Sequence, residues 1–402
     1  MKSLDEETID RYAKKAWSEI LQHSLASDEP PAAVHLVQTT NLLAVIDFTA
    51  GRLTQGWIKI GLAIRFAQEL HMTAEPEFGL SPTEREERRR VFWSVYLLDK
   101  LVSCGRNRPI VFRDEDCRIC LPNSEMAFRK GETQSCWTLQ RVLEGSQIPD
   151  PKPDHFAITV LAASCLGRAA RYMLQQRGDE QYPPWSNKSD FAAITSALWT
   201  TETCMDSNGQ SISEYVRSKL TTNGAIDQQR CGHFLYSHML FHLSHVLLNH
   251  PFLLKERLKG LNRPTPESFL RESQQRCQAH AEELTSKLEE AINAGCYAEC
   301  SFYGFCAVVA GSIHCLNVYH ESSTIRQRSA SSLRSSFAFL KGLRQTWRHY
   351  PRLVRTSPRY LSIWSLNLDP VRGSGECIRL GRGNVAADHT DCESQLAALG
   401  RI

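Results

Sequence analysis

Two cysteines with the spacing of half a zinc site stand at Cys117 and Cys120. A structural zinc ion takes four ligands, and no second Cys-x-x-Cys or histidine pair lies at a fitting distance. Cys296, Cys300 and Cys306 alternate with apolar residues at helical spacing, which is typical of one buried helix face. We therefore predict that the cysteines are free thiols, mostly buried as small hydrophobic groups, and that they hold no metal.

Three histidines, His238, His242 and His245, share a helix face by their spacing of four and three residues. Imidazoles on one face could hold a transition metal. The zinc-protease pattern needs a glutamate directly after its first histidine, whereas Met239 follows His238. We predict a polar or partly buried helix face here and not a metal site.

The remaining motifs of helical enzymes and nucleotide-binding proteins do not occur. Asp114, Glu115 and Asp116 form an acidic group before Leu121-Pro122, but no second magnesium motif follows them. The sequence contains neither a phosphate-binding glycine loop nor a Gly-x-Ser-x-Gly elbow. We therefore predict no catalytic residue and no cofactor, and we expect a protein that is not an enzyme.

A basic run, Arg88 to Arg90, could bind nucleic acid, but glutamates interrupt its surroundings. Glu84 with Arg88, and Glu86 with Arg90, have the (i, i+4) spacing and the order that favour ion pairs on a helix. The whole chain has 47 basic and 44 acidic residues, a net charge of only +3. We predict a solvated or interhelical ion-pair face in preference to a phosphate-binding surface.

The elements that position these residues are predicted to be helices throughout. Apolar residues recur every three or four positions, as in Trp57, Ile60 and Ile64, and strict alternation is hard to find. Ser81-Pro82-Thr83-Glu84 is a capping box, and it predicts a helix that runs to about Ser103. The fold class is all-α: a large multi-helix domain of packed amphipathic helices with a loosely ordered C-terminal tail.

The chain has 402 residues, of which 42% are hydrophobic and 23% are charged, values typical of a folded globular protein. No stretch approaches the about 20 apolar residues that cross a bilayer, and the polar start lacks a signal peptide's apolar core. We expect no membrane contact and a location inside the cell. The predicted parts are a helical lead-in (1–32), one regulatory domain (33–368) and a Gly-rich flexible tail (369–402).

A set of residues between Trp57 and Pro122 follows one order and spacing. Its members are Trp57, Gly61, Ile64, Arg65, Gln68, Glu87, Arg89, Arg90, Phe92, Trp93, Asp99, Arg108, Pro109 and Pro122. This set resembles the middle homology region of fungal-specific transcription factors. Two positions differ from that family's pattern, because His71 and Asn107 stand where glycine is usual.

We expect structural roles for these motif residues. Trp57, Phe92 and Trp93 are predicted to be apolar anchors for helix packing. Arg65, Arg89 and Asp99 are predicted to form hydrogen-bonded pairs between helices. In Arg108-Pro109, the proline is expected to fix a loop because it bars further helix.

The resemblance implies a transcription regulator that acts in the nucleus through protein contacts. It also implies pairing as a homodimer or with a related regulator, and response to a small-molecule inducer. Family members usually carry a zinc cluster of six cysteines, but the first cysteine here is Cys104, so we expect DNA contact only indirectly or through a module missing from this sequence. The alternatives are a truncated gene model of a zinc cluster factor, and a helical small-molecule binder or enzyme on the same scaffold.

Overall fold

The computed structural model describes residues 6–24, 33–76, 79–104, 108–145, 149–175, 182–205, 210–259, 261 and 263–347. Helices make up almost all of the regular structure in these ranges, and one two-stranded antiparallel hairpin accompanies them, β1 (Thr221–Thr222) with β2 (Ala225–Ile226). The predicted all-α fold class is therefore confirmed.

The chain divides into two compact units, Met1–Val102 with Ile110–Leu161, and Ser103–Pro109 with Ala162–Ile402. The helices that begin in the first unit are α1 (Glu6–Glu19), α2 (Val34–Thr49), α3 (Leu53–Glu69), α4 (Pro82–Val102), α5 (Glu125–Lys130), α6 (Leu139–Glu144) and α7 (His155–Ala170). Those of the second unit are α8 (Asp190–Cys204), α9 (Ile212–Lys219), α10 (Gln228–Leu248), α11 (Pro251–Leu258), α12 (Glu267–Asn293), α13 (Ser301–Asn317) and α14 (Ser323–Thr346).

The predicted boundaries at residues 32 and 368 remain predictions. Residues 369–402, the predicted tail, lie outside the described residues, as do residues 25–32 of the predicted lead-in.

Helices α2 and α3 pack closely against each other in the first unit. A Cβ at Gly56 would lie 3.0 Å from the ring of Phe48 and 3.1 Å from the Ala44 carbonyl, so glycine favours this close approach. The buried Lys59 ammonium donates to the Asp47 carboxylate, and Arg52 Nε donates to the same carboxylate at 2.7 Å. Since the buried Lys59 and Asp47 compensate each other's charge, both can be buried between α2 and α3.

Helix α4 begins as its capping box predicts. The Ser81 backbone N–H donates to the Glu84 carboxylate at 2.9 Å, and the Glu84 N–H donates to the Ser81 hydroxyl at 3.3 Å. The helix starts at Pro82 and ends at Val102, within one residue of the predicted end. This prediction is confirmed, and it places the charged and aromatic motif residues on one long helix.

Helices α10, α12, α13 and α14 pack on one another in the second unit. Every residue from Ser237 to Leu248 of α10 is buried, so this part of the helix is enclosed on all sides, with two serines and three histidines among its apolar residues. The core that α10 shares with its neighbours includes Leu240, Leu284 and Val309.

The expectation of free thiols is wrong for four cysteines. Cys120 forms a disulfide bond with Cys136, and Cys231 forms one with Cys296. These partners are 16 and 65 residues apart in the sequence, so only the fold brings their Cα atoms to 5.3 and 6.4 Å. Eight further described cysteines are free, and seven of them are buried as expected.

No helix in the described part of the chain has both the length and the apolar character that crossing a bilayer requires.

Candidate functional site

The motif residues of the first unit centre on Arg90, a half-buried arginine of α4. Its Nε donates to Glu86 at 2.9 Å, its Nη1 to Glu125 at 2.7 Å, and its Nη2 to the Asn123 carbonyl at 3.2 Å. Its guanidinium also lies 4.2 Å from the ring centre of Phe128. Arg90 therefore fastens the segment around α5 to α4 through two charge-assisted hydrogen bonds, to Glu125 and to the Asn123 carbonyl.

Arg89 is the second member of this network. Its Nε and Nη2 hold the Glu75 carboxylate at 2.7 and 3.0 Å, and its Nη1 lies 3.4 Å from Glu86. Glu75 also accepts from the backbone N–H of Cys120 at 3.0 Å. Arg89 thus orders two loops through one bidentate partner.

The buried Glu86 carboxylate serves both arginines. It also accepts from the Asn123 N–H at 2.9 Å. Burial raises the pKa of Glu86, whereas Arg90, Arg89 and the Asn123 N–H oppose that rise. The network is therefore a compensated buried cluster and not an open binding site.

The three arginines of the basic run, Arg88 to Arg90, form hydrogen bonds within the protein. The predicted Glu86–Arg90 pair is confirmed. The predicted Glu84–Arg88 pair is wrong, because Glu84 completes the helix cap and Arg88 donates to the Leu70 carbonyl instead.

Phe92 and Trp93 are apolar anchors, as predicted, and both are fully buried. Their rings contact edge to face, with centres 5.0 Å apart, and Phe92 contacts Phe112 at 5.2 Å. The Trp93 indole N–H donates to the Cys120 carbonyl at 2.7 Å, so this aromatic cluster also fixes the loop before Pro122, which is itself buried.

Asp99 and Asp114 hold the loop that follows α4. The Asp99 carboxylate accepts from the N–H groups of Val111 at 3.1 Å and Phe112 at 3.0 Å. Asp114 accepts from the Tyr96 hydroxyl at 2.6 Å and from Lys100 at 3.1 Å. The predicted partner of Asp99 on another helix is therefore wrong, because backbone N–H groups occupy its carboxylate. Burial raises the pKa of Asp99, and the Phe112 N–H opposes that rise.

Two predicted roles on α3 are wrong. The Trp57 side chain is 44% exposed and does not anchor the core. Arg65 is exposed and donates to Gln68 at 2.9 Å within its own helix. Ile64 is buried, as the apolar spacing of α3 predicts. A Cβ at Gly61 would meet no atom within 4 Å, so close packing does not require glycine there.

Glu87, Arg108 and Pro109 are motif residues that lie outside the arginine network. Glu87 is exposed and accepts from Gln38 at 3.1 Å. Arg108 and Pro109 belong to the second unit, where Gln175 Nε2 donates to the Arg108 carbonyl at 3.0 Å. Burial lowers the pKa of Arg108. The assignment of these motif residues as the chain's functional set remains a prediction.

The histidines of α10 form a buried cluster with His280 of α12. His242 Nδ1 lies 2.9 Å from His280 Nδ1, and the rings of His245 and His280 stack with centres 3.8 Å apart. Burial lowers the pKa of His280 to about 4 and that of His242 well below its usual range. The cluster therefore stays neutral at physiological pH.

No three His, Cys, Asp or Glu side chains among the described residues are arranged to hold a metal ion. Burial also raises the pKa of the Cys104 thiol to about 12 and that of Cys117 further, so neither thiol is activated as a nucleophile. The absence of a metal or cofactor in the protein remains a prediction.

The sequence did not indicate several members of the arginine network. Glu75, Asn123 and Glu125 lie 14 to 35 residues from their arginine partners. Single polar residues in loops give no periodic signal, so only the fold reveals them. His280 was missed for the same reason, because it stands alone on α12.

The fold and the network define an α-helical scaffold in which ion pairs of Arg89 and Arg90 tie α4 to neighbouring segments of the first unit. The chain belongs to the family described as the fungal specific transcription factor domain, whose profile matches residues 2–202.

Individual relatives agree with this family. The Zn(2)-C6 fungal-type transcription factor FTF1c of Fusarium oxysporum f. sp. lycopersici is 22% identical over 76% of this chain and 34% of its own length. FTF2 of the same organism is 23% identical over 76% of this chain and 29% of its own length. An uncharacterized transcriptional regulatory protein of Schizosaccharomyces pombe is 32% identical over 41% of this chain and 19% of its own length.

The chain therefore spans about a third of the length of the Fusarium relatives that it matches. No solved structure matches it significantly. Membership of this family does not favour the alternative of a small-molecule binder or an enzyme on the same scaffold.

Proposed function

We propose that this chain is the regulatory region of a fungal transcription regulator that acts in the nucleus through protein contacts. A zinc cluster elsewhere in the protein, or one supplied by a partner regulator, would deliver it to DNA. Membership of the fungal transcription factor family supports the regulatory role. The Zn(2)-C6 relatives support DNA binding by a separate zinc cluster. The role requires no catalytic residue.

Exposed apolar side chains on α2 and α3 are the observation that favours protein contacts. Leu42 is 61% exposed, Trp57 is 44% exposed, and Ile58 is 59% exposed. Neighbouring exposed apolar side chains, such as the consecutive Trp57 and Ile58, favour an interaction surface, and tryptophan is enriched among the residues that dominate binding. We propose that these exposed side chains contact a second copy of the chain or a related regulator.

The proposal is tested by tethering the full chain to a reporter promoter through an unrelated DNA-binding domain in a fungal host. We expect reporter transcription to change several-fold, because recruitment replaces the missing DNA contact. The double variant Trp57→Ser with Ile58→Ser should lose most of this effect, since it removes two exposed apolar contacts without touching the core.

A matched control replaces one tryptophan and one aliphatic residue that are similarly exposed in the second unit, Trp199→Ser with Leu270→Ser. This control should keep the reporter effect. An unchanged reporter with the tethered wild-type chain, at an expression level verified by immunoblotting, would contradict the proposed role. Equal loss in both double variants would contradict the assignment to α2 and α3.

A further inference from the structure

A cavity of about 530 Å³ lies in the second unit beside α12 and α14. Its walls are mainly apolar and include Leu284, Leu288, Phe339 and Leu343. Sites for small molecules typically measure about 300–1,000 Å³ and are lined mainly by apolar side chains with a few polar groups. The cavity has the size and the surface of such a site.

Small residues on α14 leave this space open. Ala338 and Gly342 are four residues apart, so they share a helix face, and both line the cavity. A Cβ added to Gly342 would meet no atom within 4 Å. At the margin, Ile292 and Tyr297 are exposed, and Tyr297 is exposed by 70%. A bound molecule would cover this apolar surface.

One buried polar group in the cavity wall, the Ser336 hydroxyl, lacks a hydrogen-bond partner among the described residues. Ser336 is only 2% exposed. Buried hydroxyl groups nearly always have partners, because leaving one unpaired is costly. The hydroxyl of Thr285, which also lines the cavity, is already engaged, since it donates to the Ala281 carbonyl at 3.1 Å.

The charged residues that line the cavity are both acidic. Glu289 and Glu299 are among its lining residues, and none of the lining residues that the structure describes is lysine, arginine or histidine. The local field therefore disfavours an anion and tolerates a neutral or cationic group.

We propose that this cavity binds a compact, mainly apolar molecule, neutral or cationic, that carries one hydrogen-bonding group for Ser336. Filling the cavity removes apolar surface from water, and the hydrogen bond satisfies the serine hydroxyl. The inference goes beyond the proposed function and does not depend on it, because binding is a property of the isolated chain.

The test uses N-phenyl-1-naphthylamine, a neutral probe whose emission rises in apolar surroundings, titrated into the purified full chain. We expect saturable binding at one site. Three competitors share one ring system: 1-naphthalenemethanol, 1-naphthalenemethylamine and 1-naphthoate. The alcohol and the amine should displace the probe, and the carboxylate should do so about tenfold less effectively, which corresponds to about 1.4 kcal/mol.

Two variants locate the site. Gly342→Leu fills the open space, and leucine favours a helix more than glycine does, so the variant should fold and bind the probe at least about tenfold more weakly. Gly232→Leu is the matched control, because Gly232 is also a helical glycine of the second unit with open space around it but does not line the cavity. It should bind like the wild type.

Ser336→Ala separates the hydrogen bond from apolar contact. It should abolish the advantage of 1-naphthalenemethanol over 1-methylnaphthalene and leave affinity for the hydrocarbon unchanged. No saturable probe binding, equal affinities of Gly342→Leu and the wild type, a preference for 1-naphthoate, or an unchanged alcohol advantage in Ser336→Ala would overturn the proposal. A silent reporter in the tethering experiment would leave it standing.

Discussion

Glu86 is the residue on which the arginine network of α4 depends. Its buried carboxylate meets Arg90 at 2.9 Å and Arg89 at 3.4 Å, and it also accepts from the Asn123 N–H. A buried charge that loses its partner is much more costly than the pair is beneficial. Two arginines and one backbone N–H therefore depend on the Glu86 carboxylate of α4 for a hydrogen bond.

We predict that Glu86→Ala lowers the free energy of unfolding by about 1–3 kcal/mol, because it leaves the buried Asn123 N–H and one N–H of each arginine without an acceptor, while Glu125 and Glu75 still pair with Arg90 and Arg89. Urea denaturation followed by circular dichroism measures this loss. The adjacent exposed Glu87 provides the control, since Glu87→Ala should change stability by no more than about 0.5 kcal/mol. Similar stabilities of the two variants would show that the network is dispensable.

Residue types and spacing predicted the network only where both partners share a helix. The Glu86–Arg90 pair follows from spacing alone, whereas the bonds of Arg89 to Glu75 and of Arg90 to Glu125 need the folded chain. Trp57 was predicted wrongly for a different reason. Its apolar character suggested a core position, but α3 presents this residue to solvent.

At the scale of the element, the end of α3 explains one departure from the family pattern. His71 has φ of +53°, and its N–H donates to the Gln68 carbonyl while the Met72 N–H donates to the Ala67 carbonyl. These two bonds form a Schellman C-cap, in which the residue after the helix is left-handed and is usually glycine. The family's glycine at this position therefore has a backbone reason.

We predict that His71→Gly raises the free energy of unfolding by about 1 kcal/mol, because glycine adopts this conformation without the steric cost of a side chain. Urea denaturation is again the measurement. Asn223 also has φ of +53°, but asparagine tolerates this region, so Asn223→Gly should gain less. A loss of stability in His71→Gly would refute the account of this cap.

Helix boundaries were predictable where the signal is local. The capping box placed the start of α4 correctly, because a serine, a proline and a glutamate at fixed offsets suffice to define it. The loops that α4 holds were not predictable in shape, since Asp99 and Trp93 bind backbone groups, which every residue possesses.

At the scale of the whole molecule, the histidine cluster couples stability to pH. His242, His245 and His280 are held neutral, and burial is the main reason that the pKa of each is lowered; Arg276 and His280 add repulsion to His245. The unfolded chain binds protons below about pH 6.5, where the folded chain does not. Stability is therefore complete above pH 6.5 and is lost as the pH falls.

We predict a decline of about 1.4 kcal/mol per pH unit for each histidine that stays neutral, between about pH 6 and pH 4. Urea denaturation at a series of pH values measures the slope. His245→Phe keeps a ring against His280 but cannot bind a proton. It should therefore reduce the slope by about 1.4 kcal/mol per pH unit. The exposed His35→Phe should leave the slope as it is. Equal slopes in all three proteins would contradict the prediction.

The family and the all-α class were predictable because many weak signals agreed along the chain. The division into two units and the two disulfide bonds were not, since both depend on contacts between distant segments. The cavity also had no sequence signal, because Ala338 and Gly342 read simply as small residues on a helix.

We propose that this chain regulates transcription through protein contacts and does not itself read DNA. The arginines of its basic run are engaged by Glu75, Glu86, Glu125 and backbone carbonyls, and the net charge is only +3. Sequence-specific proteins bind their sites about a thousandfold or more tighter than random DNA, through an element shaped to enter a groove.

Selection from a random oligonucleotide pool by the purified chain at physiological salt, followed by sequencing of the retained DNA, tests this claim most directly. We predict weak retention with no enriched motif. Enrichment of a defined motif would contradict the account, because it would require a DNA-reading element in this chain.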